Sequence, residues 1–340
     1  MRATWRTTIL AVLTILCLVP SAAWAQAIDF DELVRRAQAE GEVTLYTSGS
    51  RESAEALLKA FEERYGIQTR IYRAGTTEVA QRVWEEAMSG NVSADVFLTG
   101  APLISDLLDM GLPLARLDFS RELANYPDYT YTDYWAYVTS IGVFIMYNTE
   151  LVPPELVPKD WDDLLDPRWK GQLALPDPAG SSTPQVWMYM MMDIRNEDWL
   201  RRLGEQDLII YPVHGSAAEA VERGEVAIAV EMLSDRIAAS QLAGAPVDYV
   251  VPSPTFMLPR QIAIPEGAPH PNAARLLFEF MMSEEGQKLF NVDWGQYSYR
   301  IGMEHPGLYP LDQINQYFPD WADVSAQRNY ILMLADQYFR

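Results

Sequence analysis

Residues 147–178 read YNTELVPPELVPKDWDDLLDPRWKGQLALPDP and carry the clearest structural signals in this chain of 340 residues. Their first half excludes an α-helix, because proline lacks an amide hydrogen and clashes with the preceding turn. The prolines concerned are Pro153, Pro154 and Pro158. Asp160 can cap a short helix, which Gly171 would end before the apolar run 173–175. The stretch therefore predicts a loop, one or two helical turns and then a buried strand.

The same run of residue types closely resembles a segment of bacterial periplasmic solute-binding proteins. Within them it is similar to the ferric-ion-binding-like branch of the type II binding proteins, in extracellular solute-binding protein family 1. Further matching segments are 94–97, the turn at 251–254, and 265–274. The resemblance covers nearly all of the chain after the N-terminus. It implies an α/β fold of two lobes, each a mostly parallel sheet flanked by helices, joined by a hinge.

The distribution of apolar residues predicts the same fold class. Strand-like runs alternate with helix-like periodicity in the first part of the chain and again in the middle. The predicted strands lie at 43–46, 71–72, 95–98, 173–175, 208–211 and 226–230. Such alternation is typical of parallel sheets that helices cover on both faces. We therefore expect two α/β lobes, with helices that begin near Pro102, Ser182, Ala217 and Ser234.

The resemblance also implies where the chain passes between the lobes. In similar proteins, stretches corresponding to 138–146 and 250–264 form the hinge. The predicted organisation is a signal peptide at 1–25, lobe I at 26–138, lobe II at 139–257, and at 258–340 a return to lobe I with C-terminal helices that pack across both lobes.

The N-terminus has the features of a secretory signal peptide. Arg2 and Arg6 precede the apolar stretch 8–20, and Ala23-Trp24-Ala25 is a typical cleavage motif. We expect export to the periplasm with cleavage after Ala25. No later run reaches the ~18 apolar residues that a membrane helix needs, so we expect no membrane anchor. Cys17, the single cysteine, would be removed with the signal peptide.

Composition argues against several classes of function. A net charge of −21 repels nucleic acid and anionic lipid, so neither is expected as a partner. The three histidines do not show metal-ligand spacing, and the chain lacks a nucleophile-elbow or phosphate-loop motif. We therefore expect neither an enzyme nor a cofactor.

Hydroxyl-bearing turns follow the predicted strands. Ligands of open parallel sheets bind beyond the carboxyl ends of the strands, where helix N-termini offer free amide donors. In lobe I the candidates are Ser48, Ser50, Arg51, Thr76, Thr77 and Thr99, and in lobe II they are Gly180, Ser181, Ser182, Thr183 and Ser216. Such groups suit a phosphate, phosphonate or carboxylate. Alternatively, each hydroxyl only caps a helix. The turn 180–183 is the strongest candidate, because its glycine allows a close approach of backbone to ligand.

The resemblance adds residues from the segments that approach the cleft in similar proteins. These are Arg260, Tyr297 and Arg300. Either arginine can pair with an anion, or with one of the many carboxylates of this chain. Glu231 and Asp235 can accept hydrogen bonds from an amine or from hydroxyls of an organic solute. Asp235 can also simply stabilise the start of its helix.

Ferric-ion binders of the resembling branch use a histidine after the first strand and two adjacent tyrosines after the strand that corresponds to 227–230. Here Ser50 occupies the histidine position, and residues 231–235 contain no tyrosine. These differences argue against the usual iron site, since a hard trivalent cation needs anionic oxygen ligands. We therefore assign no metal ligand.

The expected function is that of a monomeric substrate-binding component of an ABC importer, with an inner-membrane permease and ATPase as partners. It would capture a small anionic or zwitterionic organic solute between its lobes. Two alternatives remain open: a ferric-ion-binding protein with a non-standard site, and a periplasmic sensor that signals to a membrane receptor.

Overall fold

A computed structural model of the chain describes residues 29–340, which form an α/β structure. The α-helices are α1 Phe30–Glu40, α2 Arg51–Tyr65, α3 Thr76–Ser89, α4 Leu103–Asp109, α5 Ser182–Arg195, α6 Glu197–Gly204, α7 His214–Glu222, α8 Ser234–Leu242, α9 Pro271–Met282, α10 Glu284–Phe290 and α11 Trp321–Phe339. The strands are β1 Glu42–Thr47, β2 Gln68–Arg73, β3 Val96–Gly100, β4 Ala136–Asn148, β5 Leu173–Pro176, β6 Ile209–Tyr211, β7 Ile228–Leu233, β8 Val247–Val250, β9 Thr255–Ala263 and β10 Gln316–Tyr317. The predicted signal peptide lies outside the described residues.

The strands follow the order β2-β1-β3-β9-β4-β7-β5-β6, with β10 beside β9 and β8 beside β4. At one end β1 is parallel to β2 and β3, and at the other end β5 is parallel to β6 and β7. The long strands β4 and β9 lie between these two parallel groups. They are antiparallel to each other, β9 is antiparallel to β3, and β4 is antiparallel to β7 and β8, whereas the short β10 is parallel to β9. The predicted pair of mostly parallel α/β lobes is confirmed.

Strand β4 carries the chain from one lobe to the other. Its first half pairs with β9, with Thr139 opposite Arg260. Its second half pairs with β7, with Val143 opposite Leu233, and with β8. The predicted lobe boundaries at 138/139 and 257/258 fall inside β4 and β9, and as exact boundaries they remain a prediction.

The stretch 147–178 has the predicted structure. Asp160 caps a 3-10 helix at Trp161–Leu165, and the carboxylate of Asp163 accepts from the backbone amide of Asp160 in return. A second 3-10 turn, Pro167–Trp169, precedes the buried strand β5. Trp161 is fully buried, and its indole Nε1 donates to the carbonyl of Pro254 at 2.8 Å. The segment is thereby fixed to the turn that precedes β9.

Each lobe has its own hydrophobic core. In lobe I, α1, α2, α9 and α10 pack together, with Phe61 and Phe278 fully buried. In lobe II, α5, α6 and α11 pack together around Trp187 and the buried methionines of α5. Each large side chain buried in this way contributes roughly 1.5–3 kcal/mol. The C-terminal segment thus contacts both lobes.

Some boundaries differ from the sequence prediction. Helix α4 begins after Pro102 rather than at it, and α7 begins at His214, three residues before the expected Ala217. The predicted hinge stretch 250–264 is not continuous, because the turn after Val250 separates β8 from β9. Between residues 29 and 340, no helix combines the length and apolarity required to cross a bilayer.

Candidate ligand-binding cleft

The carboxyl ends of the parallel strands of both lobes are directed toward the β4–β9 crossing. In lobe I, β3 ends at Gly100, which lies opposite Arg260 of β9. In lobe II, β7 ends at Leu233, which lies opposite Val143 of β4. Helices α3, α5, α7 and α8 begin after strand ends of this kind. The topology therefore brings the predicted turns of both lobes to one cleft.

Two of the lobe I candidates are used locally. Ser50 caps α2, since its hydroxyl accepts from the amide of Ser53 at 3.3 Å and donates to Glu52 at 2.8 Å. The exposed Arg51 pairs with Glu55 at 3.3 Å on the next turn of the helix. Ser48 differs, because its buried hydroxyl lacks a hydrogen-bond partner among the described residues. The cap interpretation holds for Ser50 and not for Ser48.

The threonine candidates of lobe I come together. Thr76 and Thr77 open α3 and are exposed to solvent. Thr99 is buried, and its hydroxyl donates to the carbonyl of Thr76 at 3.1 Å. Thr99 thus joins the end of β3 to the start of α3. Exposed groups at this position are Thr76, Thr77 and the first amides of the helix.

The turn 180–183 is only partly available to a ligand. The amides of Gly180 and Ser181 donate to the carbonyl of Asp177 at 3.0 and 3.1 Å. A Cβ on Gly180 would lie 3.2 Å from the carbonyl oxygen of Pro212, so the glycine permits two loops to pack. The amides of Ser182 and Thr183 open α5 without an acceptor in the described part of the chain. Those two amides remain as donors toward the cleft.

A two-residue connection, Pro212-Val213, joins β6 to α7. Ser216 is used locally, because its hydroxyl donates to the carbonyl of Val213 at 2.9 Å. His214 Nε2 lies 2.9 Å from Oε2 of Glu231, which is fully buried in β7. Burial lowers the pKa of His214, but the carboxylates of Glu231 and Asp235 outweigh burial and raise it above its ordinary value. Glu231 is therefore paired within the protein.

The hinge carries a guanidinium without a counterion. Arg260 is partly buried, and its Nη1 donates to Oε1 of Gln296 at 3.3 Å. Within residues 29–340 no carboxylate oxygen lies within 4.0 Å of this guanidinium. Burial lowers the pKa of Arg260, Asp235 opposes this change, and Arg73 adds to it. Positive charge is therefore concentrated at the centre of the cleft.

Arg73 and Asp235 flank Arg260 from the two lobes. Arg73 ends β2, and its Nε donates to the carbonyl of Gly49 at 3.3 Å. Asp235 is the second residue of α8; burial raises its pKa, whereas Arg260 and Arg236 lower it. Arg73, Arg236 and Arg260 all lack a carboxylate within 4.0 Å in the described chain. Arg73 and Asp235 are thus the charged groups that act on Arg260, and the exposed Arg236 lies next to Asp235 on the side of α7.

The side chains of Gln296 and Thr139 hold the guanidinium of Arg260 in place. Gln296 is 2% exposed, and its Oε1 accepts from the hydroxyl of Thr139 at 2.9 Å as well as from Arg260. Because Thr139 lies opposite Arg260 in the β4–β9 ladder, both residues hold the same amide group. The guanidinium is oriented before any ligand arrives.

Arg300 and Tyr297 lie apart from this cluster. Arg300 donates through Nη1 to Glu122 at 2.6 Å and to the carbonyl of Met282 at 3.1 Å. It lines a cavity of about 810 Å³ between residues 127–129 and 298–316. Tyr297 is fully buried beside Phe144, and burial raises its pKa. Arg300 is held by Glu122 in lobe I, whereas Tyr297 packs in the same core cluster as Phe144.

Sequence reasoning missed Arg73, Arg236, Gln296 and Thr139 as site residues. Arg73 had a usable signal, since it directly follows the predicted strand 71–72 and the candidate residues were sought at such strand ends. Arg236 directly follows Asp235, which was already a candidate because it comes after the predicted strand 226–230. No feature of the sequence indicated Gln296, because only tertiary contacts bring it beside Arg260. In the described part of the chain, no group of three or more His, Cys, Asp or Glu side chains is placed to hold a metal ion.

Residues 56–303 match the family of bacterial extracellular solute-binding proteins. The chain belongs to this family. It is therefore the solute-binding component of an ABC transporter, within a group of periplasmic binding proteins, and its partners are a small-molecule ligand and the transporter's permease and ATPase. The suspected relation to the type II binding proteins is confirmed.

Relatives and solved structures support the same assignment. An uncharacterized protein of Haemophilus influenzae is 30% identical over 268 residues, covering 74% of this chain and 76% of the relative. A putative 2-aminoethylphosphonate-binding periplasmic protein of Salmonella typhimurium is 24% identical over 340 residues, covering 93% of this chain and 94% of the relative.

Among solved structures, iron-bound HitA of Pseudomonas aeruginosa has a TM-score of 0.73 at 26% identity, covering 87% of this chain and 99% of HitA. AfuA of Actinobacillus pleuropneumoniae, with fructose-6-phosphate bound, has a TM-score of 0.68 at 22% identity, covering 88% of this chain and 98% of AfuA. The likeness to AfuA supports the fold alone.

Proposed function

We propose that this binding protein captures a small anionic or zwitterionic organic solute that carries a phosphate, phosphonate or carboxylate group. The observation that carries the proposal is Arg260, a guanidinium at the hinge without a carboxylate within 4.0 Å in the described chain. The chain contains 47 acidic residues against 26 basic ones, yet no carboxylate of the described residues pairs with this guanidinium. A partly buried charge without a partner is costly, and an anionic solute would remove that cost.

The cation cluster suits an oxyanion. A guanidinium presents several N–H donors in a planar fork that matches two oxygens of a phosphate or carboxylate. Arg73 from lobe I and Arg260 from the hinge can share one anionic group. The free amides of Ser182 and Thr183 add donors from lobe II at the positive end of the α5 dipole. A ligand held in this way would bridge the lobes and favour their closure.

Asp235 extends the proposal to zwitterions. Its carboxylate lies near Arg260 and Arg236, and burial raises its pKa. An ammonium group of the ligand would stabilise the ionised form of Asp235 while the anionic group compensates the arginines. The name of the Salmonella typhimurium relative is consistent with such a solute. Ser50 and the absence of tyrosine in 231–235 weigh against ferric ion, although HitA is an iron-bound structure.

A thermal-shift screen with five probes tests the proposal: 2-aminoethylphosphonate, methylphosphonate, inorganic phosphate, ethylamine and ferric citrate. A compound at 100 times its dissociation constant adds about 2.7 kcal/mol of stability, which is easily detected. We expect the largest increase in melting temperature with 2-aminoethylphosphonate, a smaller one with methylphosphonate, and none with ethylamine.

Ferric citrate tests the competing function separately. We expect no visible tyrosinate-to-iron absorption band when it is added to metal-free protein. A strong band that is lost on mutating a tyrosine would replace the organic-anion proposal with a non-standard iron site. A ligand-dependent signal from a neighbouring receptor kinase, without import, would instead favour the sensor alternative.

The remaining parts of the proposal concern the mature protein. We propose cleavage after Ala25, a monomeric state, and lobes at 26–138 and 139–257 with the return at 258–340. Intact mass of periplasmic protein should correspond to a chain that begins at Gln26. A chain that retains residues 1–25 in the periplasm would contradict the cleavage site.

A further inference from the structure

A fully buried carboxylate on the lobe II side of the cleft has an imidazole as its partner. Glu231 lies in β7 with 0% exposure. Nε2 of His214 is 2.9 Å from its Oε2 and 3.1 Å from its Oε1, and the His214 side chain is 12% exposed. One ring N–H placed between both oxygens is the arrangement of a charge-assisted hydrogen bond. His214 is thus held in one orientation.

The pair lies beside the proposed anion site. His214 is the first residue of α7 and lies three positions after Tyr211, the last residue of β6. A Cβ on the neighbouring Gly215 would lie 3.7 Å from Nη2 of Arg236. Asp235 acts electrostatically on both His214 and Arg260. Asp235, at the start of α8, is thus close enough to influence the charge of both His214 and the hinge residue Arg260.

Several elements surround His214. Helix α7 packs against β4, β5, β6, β7 and α8. The charged groups that act on His214 are Glu231 from β7 and Asp235 and Arg236 from α8. Of the two strands that α7 also contacts, β5 is followed by Asp177 and β6 ends at Tyr211. Asp177 is paired with Arg340, and β4 contributes the apolar residues Phe144 and Met146. The two carboxylates Glu231 and Asp235 favour the protonated imidazole, and burial and Arg236 oppose it.

We propose that His214, oriented by Glu231, is a specificity-determining residue that supplies a positive charge to the cleft, so that binding of an anionic solute is coupled to proton uptake. This inference rests on the proposed capture of an anion at Arg260. An anion near the ring stabilises the imidazolium, and by linkage the protonated protein binds the anion more tightly. We expect binding to weaken about tenfold between about pH 6 and about pH 9, or about 1.4 kcal/mol.

Calorimetric titration with 2-aminoethylphosphonate tests the coupling. The wild-type protein and His214→Gln are titrated at both pH values, in buffers with different ionisation enthalpies, which reveals the number of protons taken up. The phosphonate's own titration is common to both proteins and cancels in the difference. We expect proton uptake and a pH-dependent affinity for wild type, and a loss of the tenfold component in His214→Gln.

Two controls separate a charge effect from a folding effect. His270→Gln removes an imidazole that holds Asp95 in lobe I, outside the cleft, and should titrate like wild type. The double variant His214→Gln, Glu231→Gln removes both charges and preserves the capacity for a hydrogen bond between the side chains. The chain has three histidines, and burial lowers the pKa of His305 to about 4, so His305 stays neutral in this range.

A second measurement does not depend on a stable variant. The ring signals of the three histidines in wild-type protein are titrated by NMR with and without 2-aminoethylphosphonate. We expect the compound to raise the pKa of His214 alone. An unchanged His214 titration, or equal pH dependence in wild type and His214→Gln, overturns the inference while binding itself still supports the proposed function. Absence of binding to wild type at either pH overturns both.

Discussion

The hinge strand β9 and the segment after Tyr297 each bring an arginine into a partly buried position, but the two guanidinium groups have different surroundings. Arg300 lies 2.6 Å from Glu122 and also donates to a backbone carbonyl at 3.1 Å. Arg260 has an amide oxygen at 3.3 Å and no carboxylate within 4.0 Å in the described chain. The charge of Arg300 is therefore compensated within the chain, whereas that of Arg260 is not.

This contrast is informative because the sequence analysis named Arg260 and Arg300 equally as candidate ligand-binding residues. Both arginines belong to a chain with a net charge of −21, in which a carboxylate is rarely far away. Only Arg260 is kept apart from carboxylates, and a buried amide from Gln296 orients it instead. Keeping a cation unpaired in such a protein has a cost in stability that ligand binding can recover.

The largest effect is expected from Arg260→Gln. Binding of 2-aminoethylphosphonate should weaken by roughly 2–5 kcal/mol, because the anion loses its central cation while Arg73 and Arg236 remain. Unfolding without ligand should be unchanged or require more denaturant, since an uncompensated charge is removed. Calorimetry and urea denaturation measure the two quantities.

The matched control for Arg260 is Arg202→Gln. Arg202 is an exposed arginine of α6, also without a carboxylate within 4.0 Å in the described residues, and it lies outside the cleft. Equal losses of affinity in the two variants would show that net charge, and not the position of Arg260, governs binding.

Arg300→Gln should show the opposite pattern. Glu122, whose side chain is 19% exposed, would remain without its cation. We expect the free energy of unfolding to fall by about 1–3 kcal/mol, with unchanged affinity for 2-aminoethylphosphonate. The control is Arg64→Gln, which breaks an exposed pair with Glu285 and should change stability little. A loss of affinity at constant stability would place Arg300 in the site and end the contrast with Arg260.

Ser182 should have a smaller effect on binding. Ser181, not Ser182, occupies the N-cap of α5. Ser182→Ala should therefore leave unfolding unchanged and weaken anion binding by roughly 1–3 kcal/mol if the hydroxyl contacts a charged group. Ser182→Asp should weaken binding further while stabilising the helix start. Unchanged calorimetric affinity in Ser182→Asp would remove this turn from the site.

The smallest change concerns pH and the stability of the ligand-free protein. The net effect of its surroundings raises the pKa of His214 above its ordinary value of 6.5. The stabilisation from the His214–Glu231 pair is therefore fully present below about pH 6.5 and is lost as the pH rises through the higher folded-state pKa. The melting temperature of the wild-type protein should fall modestly as the pH rises over that range, and the melting temperature of His214→Gln should fall less. The same dependence of melting temperature on pH in the two proteins would contradict this linkage.

The sequence alone determined the class of fold and several local structures. Apolar periodicity and the punctuation of 147–178 predict the strand–helix alternation, the capped turn at Asp160 and strand β5, because these depend on residues close together in the chain. It also predicted that a ligand would bind beyond the carboxyl ends of the strands, since this rule follows from the topology of parallel sheets. These features need no knowledge of which distant side chains meet.

Tertiary structure alone decided which polar groups remain free. Ser50, Ser216 and Glu231 were equivalent to other candidates in sequence, yet each has a partner inside the protein. The pairing of Arg300 with Glu122 and the orientation of Arg260 by Gln296 join residues 178 and 36 positions apart. Whether a charge is compensated depends on distances of a few ångströms between such residues. Local sequence patterns do not encode those distances, and the packing of the two lobes sets them.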